Sequence, residues 1–319
     1  MLTGHYEFTC RLTTDAQLPA YKGSMFRGVF GHALKKVVCT VRQRQCVGCM
    51  LASRCLYARV FERRQWQNED RHRLANPPQP YMIVPDLDRR TRYRCGETLR
   101  FRLTLFGEFN DFLPYFVYAV ETMGTLGIGR KIDSRGAGFE IKSIHHQGRS
   151  VYDSEKSQLD MNFQVPELTL HEIISTPVTQ LRLCLLTPLR LKFNSSLQAE
   201  LPFEVLIRAV LRRISSLCNS YGSGEPDLDY RGIIARAGEV RILSDNLHWF
   251  DWKRYSNRQE QQMFMGGLSG EVCYQGDLNL FIPLLQAVQP LHLGKQTTFG
   301  LGGFNLEIGD GADQASGAA

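Results

Sequence analysis

Hydrophobic and polar positions follow a strand-like period in some segments of this chain and a helical period in others. The order of these segments predicts the secondary-structure elements. An alternating run over residues 6–12 predicts a strand, and an apolar stripe of helical period over 25–38 predicts a helix. The same order returns at 178–191 and 202–218, where a proline in the first turn favours a helix start. Two units that each begin with a strand and a helix are therefore expected.

An internal repeat closes each of these units. Residues 107–114 (GEFNDFLP) match residues 276–283 (GDLNLFIP) at four identical positions, and three more replacements are conservative. Each copy opens an apolar helix, predicted over 112–123 and 281–288. Such a match at corresponding places indicates two copies of one α+β unit.

Both repeat helices lead into a glycine-containing loop and then into an alternating strand. A Gly-Phe pair follows nine residues after Gly129 and again nine residues after Gly294, and it opens strands predicted over 139–144 and 304–308. A strand–helix start with a strand–helix–loop–strand end describes a βαββαβ domain. The predicted fold class is α+β, with two tandem ferredoxin-like (RRM-like) domains and a cysteine-cluster insertion in the first.

Composition places the boundaries between these domains. We expect an N-terminal domain over 1–147 that contains the insertion at 39–75, and a C-terminal domain over 178–308. The segment between them, 148–177, is rich in acidic residues and is predicted to be a connector. The small polar residues 309–319 predict a disordered tail.

Positive charge is concentrated near the N-terminus. Residues 20–75 hold 12 basic and 3 acidic residues, or +9, whereas the whole chain carries +6. This pattern indicates a phosphate-rich partner, and an ordinary solvated surface is the alternative. No run of about 20 uncharged apolar residues is present, and no signal sequence opens the chain. A cytoplasmic protein without a membrane partner is expected.

Four cysteines lie close together in the insertion, at Cys39, Cys46, Cys49 and Cys55. Four thiols at such spacing in a reduced protein predict a structural metal site, with zinc the leading candidate. An iron–sulfur cluster is an alternative, and a small core of unliganded thiols is another. A metal would hold together a segment that has little apolar content of its own.

The C-terminal loop over 294–303 (GKQTTFGLGG) has the composition of a phosphate-binding segment. Glycines let backbone N–H groups approach a ligand, and Lys295 adds a positive charge. The spacing of a nucleotide-binding P-loop is absent. A tight helix-to-strand turn would also explain these glycines.

Several of these motifs together resemble one known family. The loop with its following phenylalanine (GKQTTFGLGGF), residues 18–34 (LPAYKGSMFRGVFGHAL), residues 252–259 (WKRYSNRQ), residues 266–270 (GGLSG) and the cysteine cluster are similar to the repeat-cleaving branch of the CRISPR-associated RAMP superfamily. The resemblance implies an endoribonuclease that binds CRISPR repeat RNA and cuts precursor crRNA within the repeat. Other CRISPR effector subunits are further candidate partners.

The first predicted helix contains the candidate catalytic residues. Its polar face holds His32, with Lys36 one turn further and Lys35 beside it. Attack by a ribose 2′-hydroxyl on the next phosphate needs no metal cofactor, and an imidazole with a pKa near 7 suits the proton transfer. A lysine can stabilise the charge on the phosphate, and Tyr21 is a candidate for orienting the substrate. A polar surface role for His32 is the alternative.

The candidate RNA-binding residues are basic, aromatic or loop residues of both domains, and an ordinary surface charge is the alternative for each. They are Arg27, Arg130, Lys131, Arg208, Arg212, Lys253, Arg254, Tyr255, Arg258, Gly294, Lys295, Thr297, Gly300 and Gly302. Two other functions stay open. One is a non-catalytic RNA-binding RAMP subunit of a CRISPR effector complex, and the other is a cysteine-cluster redox or nucleic-acid-binding protein unrelated to CRISPR.

Overall fold

The structure is a computed structural model that describes residues 1–42, 45–62, 77–132, 135–170, 176–193, 196–197, 200–251, 253–256, 261–264 and 266–309. The chain divides into two compact units. The first comprises residues 1–167 with 216–224, and the second comprises 168–215 with the residues from 225 onward. No helix among the described residues is long and apolar enough to cross a membrane.

The first unit contains eleven named strands and three helices in its described residues. The strands are β1 (Thr3–Leu12), β2 (Ala16–Gln17), β3 (Tyr81–Pro85), β4 (Arg92–Tyr93), β5 (Thr98–Phe106), β6 (Ile128–Ile132), β7 (Arg135–Ala137), β8 (Phe139–His146), β9 (Arg149–Ser150), β10 (Tyr152–Asp153) and β11 (Gln158–Leu159), and the helices are α1 (Gly23–Val38), α2 (Leu56–Phe61) and α3 (Leu113–Leu126).

An antiparallel sheet in the order β3-β5-β1-β8-β9 forms the body of this unit. Its first four strands have the ferredoxin-like order, which confirms the predicted fold. Along β1 the buried side chains alternate with more exposed ones, so one face of the sheet packs on the helices. The ring of Phe30 on α1 stacks on Phe116 of α3 at 5.7 Å, and both are buried in this core.

The second unit repeats this plan with nine named strands and three helices in the part of the chain described. They are β12 (Gln180–Leu189), β13 (Lys192–Phe193), β14 (Ser196–Leu197), α4 (Phe203–Tyr221), α5 (Tyr230–Ala237), β15 (Arg241–Asp245), β16 (His248–Phe250), β17 (Lys253–Ser256), β18 (Gln261–Phe264), β19 (Gly267–Gln275), α6 (Ile282–Val288) and β20 (Phe304–Gly309). The sheet order β15-β19-β12-β20 again has the ferredoxin-like sequence of strands.

Two glycines show that the domains repeat in detail. Gly129 has φ +77°, and a Cβ on it would lie 2.5 Å from the carbonyl oxygen of Gln17. Gly294 has φ +79°, and its Cβ would lie 2.4 Å from the carbonyl oxygen of Arg190. Each glycine therefore lets the segment after the repeat helix approach the backbone that follows the first strand of its domain.

The loops nevertheless differ in conformation. The first is a β-hairpin formed by β6 and β7. The second contains a single 3₁₀ turn, Thr297–Phe299, between two residues in the left-handed region, Gln296 and Gly300. The repeat therefore predicted the place of both loops but not their internal structure.

The first unit extends beyond the boundary that composition predicted at residue 147. Strand β9 pairs with β8, and the backbone N–H of Thr3 donates to the carbonyl oxygen of Pro166 at 2.8 Å. Much of the acidic segment is thus folded onto the first sheet. Residues 216–224, at the end of α4, also belong to this unit. Gly309, predicted as the first residue of the tail, is the last residue of β20, and the rest of the predicted tail lies outside the described residues.

Candidate functional site

Helix α1 separates its apolar and polar residues as the sequence predicts. Phe26, Phe30 and Ala33 are fully buried, whereas His32 and Lys36 are exposed on the outer side of the helix. Because His32 and Lys36 lie one turn apart, an imidazole and an ammonium group occupy neighbouring positions there. Lys35 and Lys36 lie in the last turn, where positive charge also suits the helix dipole.

Lys35 and Arg27 face helix α2 instead of open solvent. The Nζ atom of Lys35 lies 5.2 Å from the centre of the Tyr57 ring, and the guanidinium of Arg27 lies 5.2 Å from the centre of the Phe61 ring. Burial raises the pKa of Tyr81 to about 12, and the neighbouring Arg27 opposes that shift. Both cations therefore help pack α2 on α1, which leaves Lys36 as the more accessible lysine.

The two glycines inside α1 have different surroundings. A Cβ on Gly31 would lie 3.2 Å from Cε1 of Phe61, so this glycine makes room for α2. A Cβ on Gly28 would have no atom of the described chain within 4 Å apart from its own helix backbone. The close packing expected at both glycines thus occurs at Gly31 only. Gly28 lies one turn before His32 on an open helix surface.

Tyr21 is not brought to His32. It precedes α1 and is half-buried, and burial raises the pKa of its hydroxyl. His32 lies about 14 Å along the helix axis from the first residue of α1. The next residue, Lys22, is buried, and its Nζ donates to the carbonyl oxygens of Asp88 and Arg90. This end of the helix therefore has an anchoring role.

The four clustered cysteines lie between α1 and α2. Cys39 follows the last residue of α1, and Cys55 precedes the first residue of α2. All four thiols are half-buried, and the pKa of Cys46 is raised first by burial. Among the described side chains, no three His, Cys, Asp or Glu residues are arranged to hold a metal ion. The metal site at these four cysteines stays a prediction.

The glycine loop of the second domain is largely built into that domain. Thr187 donates from its hydroxyl to the carbonyl oxygen of Gly300 at 2.9 Å and accepts from the N–H of Gly303 at 2.8 Å. A Cβ on Gly302 would lie 1.8 Å from the carbonyl oxygen of Leu293. Thr297, predicted to bind RNA, is buried. These contacts give the loop glycines a structural role.

Only the start of this loop faces solvent. Gly294 and Lys295 are exposed, but Gly300 and Gly302 are buried like Thr297. The N–H of Lys295 donates to the carbonyl oxygen of Arg190 at 2.9 Å. The backbone of Lys295 is thereby held in place while its side chain stays accessible for an anion. The three buried residues offer little surface for a direct RNA contact.

The arginines of α4 also differ in how exposed they are. Arg212 is exposed, and Arg208 forms a salt bridge with Glu204 in which Nε lies 2.8 Å from the carboxylate. Arg213 is buried and donates to the carbonyl oxygen of Leu291. Lys253, Arg254 and Tyr255 lie on β17, where only the backbone is described, and Arg258 lies outside the described residues.

A second basic surface lies in the first domain and was not predicted as a unit. Arg130 and Lys131 are exposed on β6, as is Arg135 on β7, and Arg92 is exposed on β4. The density of arginine over residues 89–94 is a sequence signal for part of this surface. That this arginine-rich segment lies on the same surface as Arg130 depends on strand pairing, which the sequence does not show.

Comparison with known protein families agrees with this architecture. The AF_1859_N model, described as an N-terminal domain, matches residues 1–164, and the model of the CRISPR-associated endoribonuclease Cas6 matches residues 183–304. Each of the two domains has the ferredoxin-like strand order. The chain belongs to the family of this N-terminal domain, and its second domain is similar to the Cas6 endoribonucleases.

Relatives of similar length and solved structures share this organisation. An uncharacterized protein of Archaeoglobus fulgidus is 28% identical over 295 residues, which are 91% of this chain and 92% of the relative. Thermus thermophilus Cas6 has a similar fold, with a TM-score of 0.53 and 13% identity over 96% of this chain and 98% of that chain.

A further structural likeness is to a chain of a partial Cas6-RT-Cas1–Cas2 complex. The TM-score is 0.55 with 14% identity, and the match covers 97% of this chain. This chain spans 46% of the length of that larger one. At such identities the likeness establishes the fold and leaves the site to be argued from this chain's own residues.

Proposed function

We propose that this protein is a metal-independent endoribonuclease that binds CRISPR repeat RNA and cuts precursor crRNA within the repeat. The observation that carries this proposal is the exposed pair of His32 and Lys36, one turn apart on α1 of a Cas6-like protein. The buried core of the same helix holds both positions at fixed spacing, which a general acid or base requires.

The chemistry follows from the RNA itself. The 2′-oxygen attacks the adjacent phosphorus, a new 2′-O–P bond forms, and the P–5′-O bond breaks. His32 takes the proton of the 2′-hydroxyl as a base or gives a proton to the leaving 5′-oxygen as an acid, and water exchanges the other proton. Lys36 stabilises the negative charge that develops on the phosphate. The products are a 2′,3′-cyclic phosphate and a 5′-hydroxyl.

Single-turnover cleavage of repeat RNA in EDTA tests this proposal. We expect His32→Ala to slow cleavage by about 10²–10⁴-fold, the usual contribution of general acid or base catalysis, with little change in binding. An RNA with 2′-deoxyribose at the scissile nucleotide should bind and resist cleavage because its nucleophile is absent. Normal cleavage of that substrate would contradict the chemistry.

A matched control separates the histidine from its neighbours. Lys35 lies against Tyr57, so Lys35→Ala should affect cleavage less than Lys36→Ala. If His32→Ala cuts at the wild-type rate and the 2′-deoxy substrate still resists cleavage, the catalytic role of His32 would be wrong. Attack by the 2′-hydroxyl would remain the proposed mechanism. In that case Lys35, Lys36 and Tyr21 would be the next variants.

A non-catalytic RNA-binding subunit is the second candidate function. The separation of Tyr21 from His32 favours it, because α1 then offers one histidine and one lysine instead of a larger catalytic group. Repeat RNA that is bound tightly and never cut would support this alternative. The similarity to a chain of a Cas6-RT-Cas1–Cas2 complex supports other CRISPR proteins as further candidate partners.

We also propose, from the cysteine spacing, one structural zinc ion at Cys39, Cys46, Cys49 and Cys55, with an iron–sulfur cluster as the alternative. Elemental analysis of purified protein should show about one zinc per chain, or iron with visible absorbance. Metal-free protein of unchanged thermal stability would refute this site.

A further inference from the structure

The segment before α1 connects two arginines that lie far apart in the sequence. Strand β2 pairs with β4, and Gln17 lies directly opposite Arg92. Residues directly opposite each other in an antiparallel pair project their side chains on the same side. The carboxamide oxygen of Gln17 accepts a hydrogen bond from Nη1 of Arg130 at 3.3 Å. Gln17 thus places both arginines on one surface.

Backbone packing fixes this arrangement. Gly129, the residue before Arg130, approaches the carbonyl oxygen of Gln17 so closely that a side chain there would collide with it. The N–H of Leu18 donates to the carbonyl oxygen of Thr91 at 2.8 Å, which holds β4 against β2. The surface is therefore part of the folded domain and not a chance meeting of long side chains.

Three carboxylates of the neighbouring segments, Asp88, Glu97 and Asp15, already have partners. Arg90 binds both Asp88 and Glu97, with N–O distances of 2.9 Å for each. Asp15 accepts from the N–H of Cys95 at 2.8 Å. Within the described residues, neither Arg92 nor Arg130 takes part in an ion pair.

We infer that Arg92 and Arg130 form a phosphate-binding surface that holds an RNA strand outside the cleavage site. Two neighbouring guanidinium groups repel each other, and an anion placed across both removes that cost. Guanidinium groups bind phosphate in a bidentate manner. Strand β6 also packs beside α1, which connects the surface to the helix of His32. This inference rests on the proposed RNA substrate.

Salt dependence of RNA binding tests the inference. For single-stranded RNA, each phosphate contact contributes about 0.7 to the slope of log Kd against log salt. We expect Arg92→Gln to lower that slope by about 0.7 and the Arg92→Gln/Arg130→Gln double variant by about 1.4.

Arg149→Gln is the matched control in the same domain. It removes the same charge, but Arg149 is paired with Asp160 at 2.6 Å, so the slope should stay within error of wild type. Arg92 forms no side-chain hydrogen bond within the described part of the chain, so Arg92→Gln keeps the test valid if the double variant folds poorly. If the wild-type protein binds and cuts RNA but Arg92→Gln leaves the salt slope of binding unchanged, the phosphate-binding surface would be refuted. The proposed function would then still stand. Wild-type protein that binds no RNA would instead refute the proposed function.

Discussion

The guanidinium of Arg213 holds the carbonyl group of Leu291 inside the second domain. Its Nη2 and Nε atoms lie 2.8 and 3.2 Å from that oxygen, and burial lowers the pKa of Arg213 to about 10. Leu291 ends the 3₁₀ turn after α6 and lies three residues before Gly294, the first residue of the glycine loop. A charged side chain of the long helix therefore secures the start of the loop that presents Lys295.

Replacing Arg213 should destabilise the protein. We expect Arg213→Met to lower the free energy of unfolding by roughly 1–3 kcal/mol, because a buried carbonyl oxygen loses its donor. The adjacent Arg212 is exposed, so Arg212→Met should change stability by less than about 0.5 kcal/mol. Thermal unfolding of the two variants measures the difference. Equal melting temperatures would contradict the anchoring role.

Alanine at the two glycines of α1 should have different effects on stability. Gly28→Ala is expected to stabilise the helix by about 0.5–1 kcal/mol, since its surroundings are open. Gly31→Ala should gain less or destabilise, because its Cβ would press on Phe61. Chemical denaturation of both variants tests this. A slower cleavage rate in a stabilised Gly28→Ala protein would indicate that RNA approaches the helix there.

Lys295 should contribute to RNA affinity through charge. Lys295→Ala is expected to weaken binding and to lower the salt slope by about 0.7, the contribution of one phosphate contact. Lys142 is the control, because it forms a salt bridge with Glu140 at 2.8 Å. Dissociation constants at four salt concentrations are the measurement. If Lys295→Ala and Lys142→Ala have the same dissociation constants and the same salt slope, the glycine loop has a structural role only.

Acid should weaken the first domain through His5. Burial, Arg102 and His146 lower the pKa of His5 to about 4 from its ordinary 6.5. Between pH 4 and 6.5 the unfolded chain binds more protons at His5 than the folded protein does. The neutral His5 therefore makes its full contribution to stability above about pH 6.5, and this contribution is lost as the pH falls toward 4. At pH 5 the loss is about 2 kcal/mol. Urea midpoints from pH 8 to 5 should shift less in His5→Gln, and equal shifts would contradict this prediction.

Periodicity and the internal repeat were enough to predict most of the fold. The predicted helix at 112–123 is observed as Leu113–Leu126, and the predicted strand at 304–308 as Phe304–Gly309. These elements follow from local alternation and helical spacing, which a sequence displays directly. The end of the first domain was missed because pairing of β9 with β8 outweighs the acidic composition of that segment.

The candidate site was predictable only in part. The exposed positions of His32 and Lys36 follow from helical period, which is a property of nearby residues. Burial of Gly300 and Gly302 could not be read from composition, since glycines that bind phosphate and glycines that make close turns look alike in a sequence.

Local patterns in the chain define its two ferredoxin-like domains, the basic N-terminal segment and the helix that carries His32. Tertiary structure decides which cations are accessible. It turns Arg213 inward, packs Arg27 on Phe61 and brings Arg92 beside Arg130 through Gln17. The physical reason is that these positions depend on contacts between residues distant in sequence, and the identity of a charged residue does not reveal its distant neighbours.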